Sequence, residues 1–481
     1  MQGKKQFSEK LFTSFQLSSR VAEDNFYRRL KELLDLRWLY KTTKKYYGTE
    51  GQQSIDSVVF FKLILIGYLE NLASDRRIIS TVSMRLDMLY FIGYDIDEPL
   101  PWHSTLSRTR QLYGQEVFKE LFTEVLKQCI EKGMVAGRRQ AIDSVHVKAN
   151  ASMDSLTRKE VLEDGELYAD NLKVEEEGEE SSDNKPGNND THYSKTDPDA
   201  RIAKKPGKPT DLKYLGQVSV DVGSHVITNI QAHHADKRDS ECLSEVVAGV
   251  VENLQPQGLI VEEVLADTNY SSGEALQYLE DNNLTGYIPN FGLYKEKREG
   301  FIYDGEKDCY ICSKGAELKF IKIYVDSNGY HKKEYRSSSK DCTGCPLRRQ
   351  CIGKSHVKRI TNTLNTPLYN RMHERMQTAK ARRIMKLRQS TAEPVLGTLI
   401  NFLGMRRVNT RGIELAGKCM LMAATAYNLK KLLKFCAPKV NVVAKVIDKI
   451  QEIVQKSAFF MLWLIKPKYT RNLNLILQPS R

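Results

Sequence analysis

Apolar positions recur at helical spacing through the first part of the chain and at strand spacing through the next. Val117, Phe118, Leu121, Phe122, Val125, Leu126 and Cys129 fall on one face of a helix predicted over Gln115 to Lys132, with Gly133 ending it. Upstream, Ala22 to Tyr47 predicts a long charged helix and Ser54 to Leu72 a strongly apolar core helix. Ser74 is placed to cap the helix that follows. Pro99-Leu-Pro101 breaks the chain, and Ser104 then opens a short helix carrying Arg108 and Arg110. Residues 1–135 are therefore expected to form an all-helical domain, with a helix-turn-helix around Ser74 to Tyr113.

From Arg138 the period shortens to two. Ala141, Asp143, Val145 and Val147 share one face of a predicted strand. Leu212 to Val222 and His225 to Ala232 predict a hairpin turning at Gly223-Ser224. Asp239 to Asn253 reads as a helix, and Gly258 to Ala266 and Gly286 to Asn290 as further strands. Two segments interrupt this pattern. Residues 154–208 lose hydrophobicity, with Glu175-Glu-Glu-Gly-Glu-Glu180, and are expected to be disordered or lid-like. Residues 293–360 are polar and bear cysteines. An apolar helical run, opened by Glu393, extends to Leu403. The expected fold is α/β: a core over 136–292 and 361–436, interrupted twice, with a helical tail over 437–481.

Charge and cysteine usage narrow the class. A net charge of +13 favours a polyanionic partner. The opening segment is polar, and the longest apolar runs are too short to span a bilayer, so a cytoplasmic protein without a membrane partner is expected. Nine cysteines, an odd count, suit reduced thiols and a metal site better than a disulfide framework. Five of the nine lie in Cys309-x-x-Cys312 and Cys342-x-x-Cys345-x5-Cys351. Two close pairs of this kind suit tetrahedral, structural zinc.

Three carboxylates carry the candidate chemistry. Asp143 lies on the first predicted strand, Asp267 ends another, and Glu393 opens the apolar helix. Gathered together they would make an all-oxygen pocket suited to magnesium or manganese, and two such ions can clamp the attacking and leaving oxygens of a phosphodiester. Two plainer readings stand beside this one. Ser390-x-x-Glu393 also fits a capping box, and Asp267 a strand-end turn residue. Residues 354–388 hold ten Lys and Arg against the single acid Glu374, and phosphate contacts are expected there and beyond, at Arg382, Arg383, Arg406, Arg407 and Arg411. Arg108 and Arg110 are the candidates for contacts from the helical domain. His103, His146, His233 and His234 are assigned no role.

Motif order adds a resemblance. Asp143-Ser-Val-His-Val-Lys-Ala-Asn-Ala-Ser152, Ala266-Asp-Thr-Asn-Tyr-Ser-Ser-Gly-Glu274 and Glu393-Pro-Val-Leu-Gly397 follow one another, then Arg406-Arg-Val-Asn-Thr-Arg-Gly412 and Ala424-Thr-Ala-Tyr-Asn-Leu-Lys430. In this order the chain, from about Phe12 to Leu433, resembles the DDE transposases of bacterial insertion sequences. That resemblance implies an RNase H-like catalytic domain and a catalytic trio of Asp143, Asp267 and Glu393. It also implies magnesium-dependent cleavage at element ends and strand transfer into target DNA, two ends paired by at least a dimer, and nucleoid association. Cys312, Cys342, Cys345 and Cys351 are the zinc ligands it supports, with Cys309 as a possible substitute. Ser144 and Asn269 replace the family's usual glycines, and Ile400 stands where many relatives have lysine. Two other outcomes fit the same residues: a catalytically inactive DNA-binding derivative, and a metal-dependent nuclease without strand transfer.

Overall fold

The computed structural model describes residues 14–159 and 189–436, apart from positions 15, 49, 51–53, 73, 205–206, 208, 293, 295–297, 327–328 and 330. The acidic stretch 160–188 and the expected C-terminal tail 437–481 lie outside the described residues. The described residues up to Leu432 form one compact unit.

Among the described residues eight α-helices precede the first strand: α1 (Leu17–Arg20), α2 (Phe26–Leu33), α3 (Leu39–Thr43), α4 (Ser57–Leu69), α5 (Asp75–Val82), α6 (Leu86–Ile92), α7 (His103–Leu112) and α8 (Gln115–Glu131). The long helix expected over Ala22 to Tyr47 is broken. After Leu33 the chain turns extended, and Asp35 accepts from the Arg37 amide. The break has a packing reason, since a continuous helix would set Leu34 and Leu36 about 200° apart. The turn instead buries both. α4 is apolar around its whole circumference and is the centre of this region. Phe60 and Phe61 pack on Tyr113 and Phe118, with Phe61 stacked on Tyr113 at 5.9 Å between ring centres. Ser74 caps α5 as expected, accepting from the Arg77 amide.

Six strands build the core sheet: β1 (Arg139–Lys148), β4 (Arg201–Ala203), β5 (Asp211–Asp221), β6 (Ile227–His234), β7 (Glu263–Leu265) and β8 (Thr285–Tyr287). β4 and β6 both pair with β5, which runs antiparallel to β1, while β1, β7 and β8 are parallel. The ends of the first insertion are ordered, contrary to expectation. β2 (Leu156–Arg158) pairs with β3 (His192–Ser194), and β4 joins the core. Buried Asp197 then accepts from Tyr214 and from the Gly412 amide, so the insertion's return fixes the chain where the last helix begins.

Helices cover both faces of the sheet. Asp143, Val218 and Ile230 lie in register on one face, and Ser144, Gln217 and Gln231 on the other. The second face packs on α9 (Asp239–Leu254), where Gln231 and Asn229 donate to the Glu245 and Val246 carbonyls. After α10 (Gly273–Asp281) and β8, a separate antiparallel sheet runs β13-β12-β11-β10-β9. Its strands are β9 (Phe301–Asp304), β10 (Cys309–Cys312), β11 (Glu317–Val325), β12 (His331–Ser337) and β13 (Arg359–Thr363), with short α11 (Ser339–Thr343) and α12 (Arg348–Cys351) before β13. The chain returns to the core through α13 (Thr366–Gln377) and α14 (Ala379–Phe402), which packs on the Asp143 face. α15 (Ile413–Phe435) lies beside it, its Met420 against Val145 and Gly216.

Arg110 corrects an expectation. Rather than offering itself to DNA, it is buried in α7 and makes two bonds to Asp75 of α5, at 2.7 and 3.1 Å. Arg108 is exposed. Replacing Asp75 with Ala leaves the guanidinium buried and unpaired, and is expected to cost about 3–5 kcal/mol, whereas Asp75→Leu with Arg110→Met should cost much less. Urea midpoints would measure both. Equal losses for the single and double variants would show that the pair is not the source of the cost.

Candidate active site

Strand register brings two of the three carboxylates together. Ala141 pairs with Leu265 across the parallel β1–β7 ladder. Asp143 lies two residues further along β1 and Asp267 two residues past the end of β7, near enough for its charge to act on the Asp143 carboxyl. β7 has ended by then, which leaves the space beyond it open to Asp267. The Asp143 Oδ1 accepts from the Ser144 amide at 2.8 Å, and Asp267 Oδ1 from the Asn269 amide at 2.9 Å. Asp267 thus does serve a turn, capping the single helical turn Thr268–Tyr270.

Arg388 of α14 meets this pair. Its Nη1 donates to Asp143 Oδ2 at 3.1 Å, with the Arg388 side chain 8% and the Asp143 side chain 16% exposed. Burial pushes the Asp143 carboxyl above its ordinary range. The Arg388 charge and the Ser144 amide pull it back down, and Asp267 adds a further upward push. The net shift is upward, so burial outweighs the Arg388 charge. Arg388 Nε, also buried, has no hydrogen-bond partner. Beneath the pair, buried Tyr270 donates to Gln217, which in turn donates to Asp239 at 2.8 Å. Burial raises the Tyr270 hydroxyl well above its ordinary value, and Asp239, Asp143 and Asp267 all reinforce the shift.

Glu393 is not gathered with them. It lies in the middle of α14 rather than at its start, exposed, so the capping-box reading fails along with the expectation that it opens a helix. Ser390 instead donates to the Leu387 carbonyl. The helix presents Ile384, Arg388, Thr391, Val395 and Leu399 inward. Glu393 lies five residues beyond Arg388, turned about 140° from it around the axis. Among the described residues no three His, Cys, Asp or Glu side chains are placed to hold one metal ion.

The cysteines likewise stay apart. Cys309 is buried on β10, and Cys312 packs with Phe301 against Tyr310, Leu318, Tyr335 and Ile360. Cys342 lies beside Ser337 at 3.1 Å on α11, Cys345 follows it, and Cys351 ends α12. The expected four-sulfur site at Cys312, Cys342, Cys345 and Cys351 is therefore not assembled. An aromatic cluster within a five-stranded sheet supplies the shape for which zinc was invoked.

The expected basic contacts are exposed apart from Arg110. Arg382 and Arg383 lie on the first turns of α14. Arg406 and Arg407 follow that helix in a segment bonded to the end of β1, through Lys148 N to Arg406 O at 3.2 Å and Val408 N to Lys148 O at 3.0 Å. Asn401 and Asn150 orient the two guanidiniums, and Arg411 is exposed nearby. Arg388 itself went unrecognised as a site residue. Its signal was a cation on the apolar stripe of a helix, where burial demands a partner.

Residues 15–112 match the family described as Transposase domain (DUF772), and residues 311–433 match Transposase DDE domain. Both matched segments are transposase domains, the second of the DDE kind. The second match contains Glu393 and ends before α15 does; Asp143 and Asp267 lie upstream of it. No curated protein matches this chain. Among solved structures it is similar to a piggyBac transposase synaptic complex with hairpin DNA, at 12% identity and a TM-score of 0.30 over 92% of this chain and 80% of that one. A Mos1 transposase paired-end complex with the left transposon end matches at 12% identity and a TM-score of 0.16, over 52% and 65%.

The upward push on Asp143 can be tested through stability. Asp267→Asn keeps the oxygen that accepts from Asn269 and removes the opposing charge. Because the folded pKa of Asp143 is raised, stability is lost as pH rises from the unfolded value up to the folded one. In metal-free protein at pH 7 the substitution should therefore stabilise by about 1 kcal/mol, and the gain should vanish near about pH 3, where Asp143 is protonated in both states. Denaturant midpoints in EDTA would show it. A loss of stability at pH 7 would contradict the coupling.

Proposed function

We propose that the protein cuts DNA strands at the ends of a mobile element and joins the freed 3′-hydroxyls to target DNA, through metal-dependent phosphoryl transfer on an RNase H-like core. The observation that carries this reading is the Asp143–Asp267 pair at the open end of β7. A mixed sheet with helices on both faces supports the core assignment, and the family supports the chemistry.

The donor set fits a hard divalent cation in part. Two carboxylates that oppose each other, one with its pKa already raised by burial, gain from a dication of the magnesium or manganese kind. Asp143 and Asp267 would hold it, with Glu393 proposed as the third carboxylate. A bound ion would supply charge stabilisation at the reacting phosphate and a more acidic nucleophile. The chain's own residues do the rest. Arg388 compensates Asp143 and holds its carboxylate in place. Arg382, Arg383, Arg406, Arg407 and Arg411 neutralise the backbone of double-stranded DNA. The helical region, with Arg108 exposed on α7, is proposed to recognise element ends, and two copies of the chain to pair them.

The outward position of Glu393 favours a second reading, an inactive DNA-binding derivative that keeps the basic surface. Cleavage of an element-end duplex with magnesium separates the two. The wild-type chain should cut, and Asp143→Ala or Asp267→Ala should lower the rate by about a thousandfold or more while duplex affinity changes little. Binding without cleavage by the wild-type chain would establish the second reading. Cutting by Glu393→Ala at the wild-type rate would remove that residue from the site.

A further inference from the structure

A cleft of about 630 Å³ lies on the α9 face of the core sheet, and its wall reaches Asn269, two residues from Asp267. Its cations come from three separate parts of the chain: Lys204 after β4, Lys237 and Arg238 before α9, and Lys332 of β12. Asp239 is the one acid in the lining, and its carboxylate accepts from Gln217. The amino ends of α9 and α10 both open here, at Arg238–Ser240 and Ser271–Ser272, adding partial positive charge to that of the side chains. Lys332 also pairs with Asp326 at 2.5 Å, and Lys237 stands 4.0 Å from Glu245. Both are pairs that a phosphate oxygen can replace.

We propose that this cleft is a phosphate-backbone site for a DNA strand that passes over the Thr268–Tyr270 turn from the Asp143–Asp267 pair. The inference rests on the DNA-cutting reading above and adds to it a second contact track, on the face of the sheet opposite the carboxylates. It also gives the cysteine-bearing sheet a task, because Lys332 and Thr363 of that sheet join core residues in the wall. Cations converging from separated segments onto one concavity, at two helix amino ends, distinguish the cleft from a solvated charged face. A nucleic-acid backbone is the occupant chosen, since its phosphates recur along a strand and one strand can meet both tracks.

The test uses the full chain, a fluorescein-labelled random-sequence duplex and a labelled oligothymidylate, with anisotropy read across a salt series. Lys237→Ala/Arg238→Ala/Lys332→Ala should weaken binding of at least one probe by about ten- to a hundredfold at 0.1 M salt and flatten the log–log salt slope by about two to three. Lys314→Ala/Lys319→Ala/Lys322→Ala, an equal loss of charge elsewhere, should leave the slope near wild type. Lys237→Gln/Lys332→Gln, which keeps the side-chain stems, should give an intermediate slope and guards against a folding defect, with thermal melting as the check. If the wild-type chain binds neither probe, the DNA reading itself fails. If it binds and the cleft variants match the distal control, the cleft proposal alone is overturned.

Discussion

Two carboxylates brought together at the end of a parallel strand pair repel each other, and burial makes Asp143 harder to ionise. The local structure around Asp143 and Asp267 follows from that constraint. Arg388 answers it from one side, with a buried guanidinium that is itself costly unless paired. Each charge thus needs the other, and α14 is held against β1 by that need. The net upward pressure on Asp143 shows that one guanidinium does not fully meet the demand.

The strand that bears Asp143 is unusually well anchored. β1 pairs with β5 along most of its length, with β7 at its start, and with the Arg406–Val408 segment at its end. Buried Glu263 adds a clamp: Arg139 of β1 and Lys380 of α14 both donate to it, and these bonds hold its carboxyl below the ordinary range despite burial. The helical region braces the far end. Asn71 donates to the Asn401 carbonyl and accepts from the Gly404 amide, and Lys418 of α15 donates to the Arg110 carbonyl. The turn carrying Arg406 and Arg407 is thereby fixed by both the sheet and the helices.

What could be read from the sequence was local. The alternation through Val145 and Val147 put Asp143 on a strand, the Gly223-Ser224 turn set the β5–β6 hairpin, and Ser74 announced its helix, because each signal lies within a few residues. What could not be read depended on distant partners. Glu393 looked like a helix start because Ser390 and Pro394 carry start signals, yet α14 runs through both from Ala379. Arg110 and Arg388 looked like surface charge until Asp75 and Asp143, 35 and 245 residues away, were found beside them. Cysteine spacing suggested zinc, whereas the segment folds as a sheet around Tyr310 and Tyr335, residues that polar neighbours concealed in the sequence.

The central claim is that the Asp143–Asp267 pair is a cation site whose charge Arg388 partly balances. Crystals of the chain soaked in manganese, with an anomalous difference map, test it most directly. The account predicts a peak in contact with both carboxylates. A map with manganese bound elsewhere and none between Asp143 and Asp267 would contradict it.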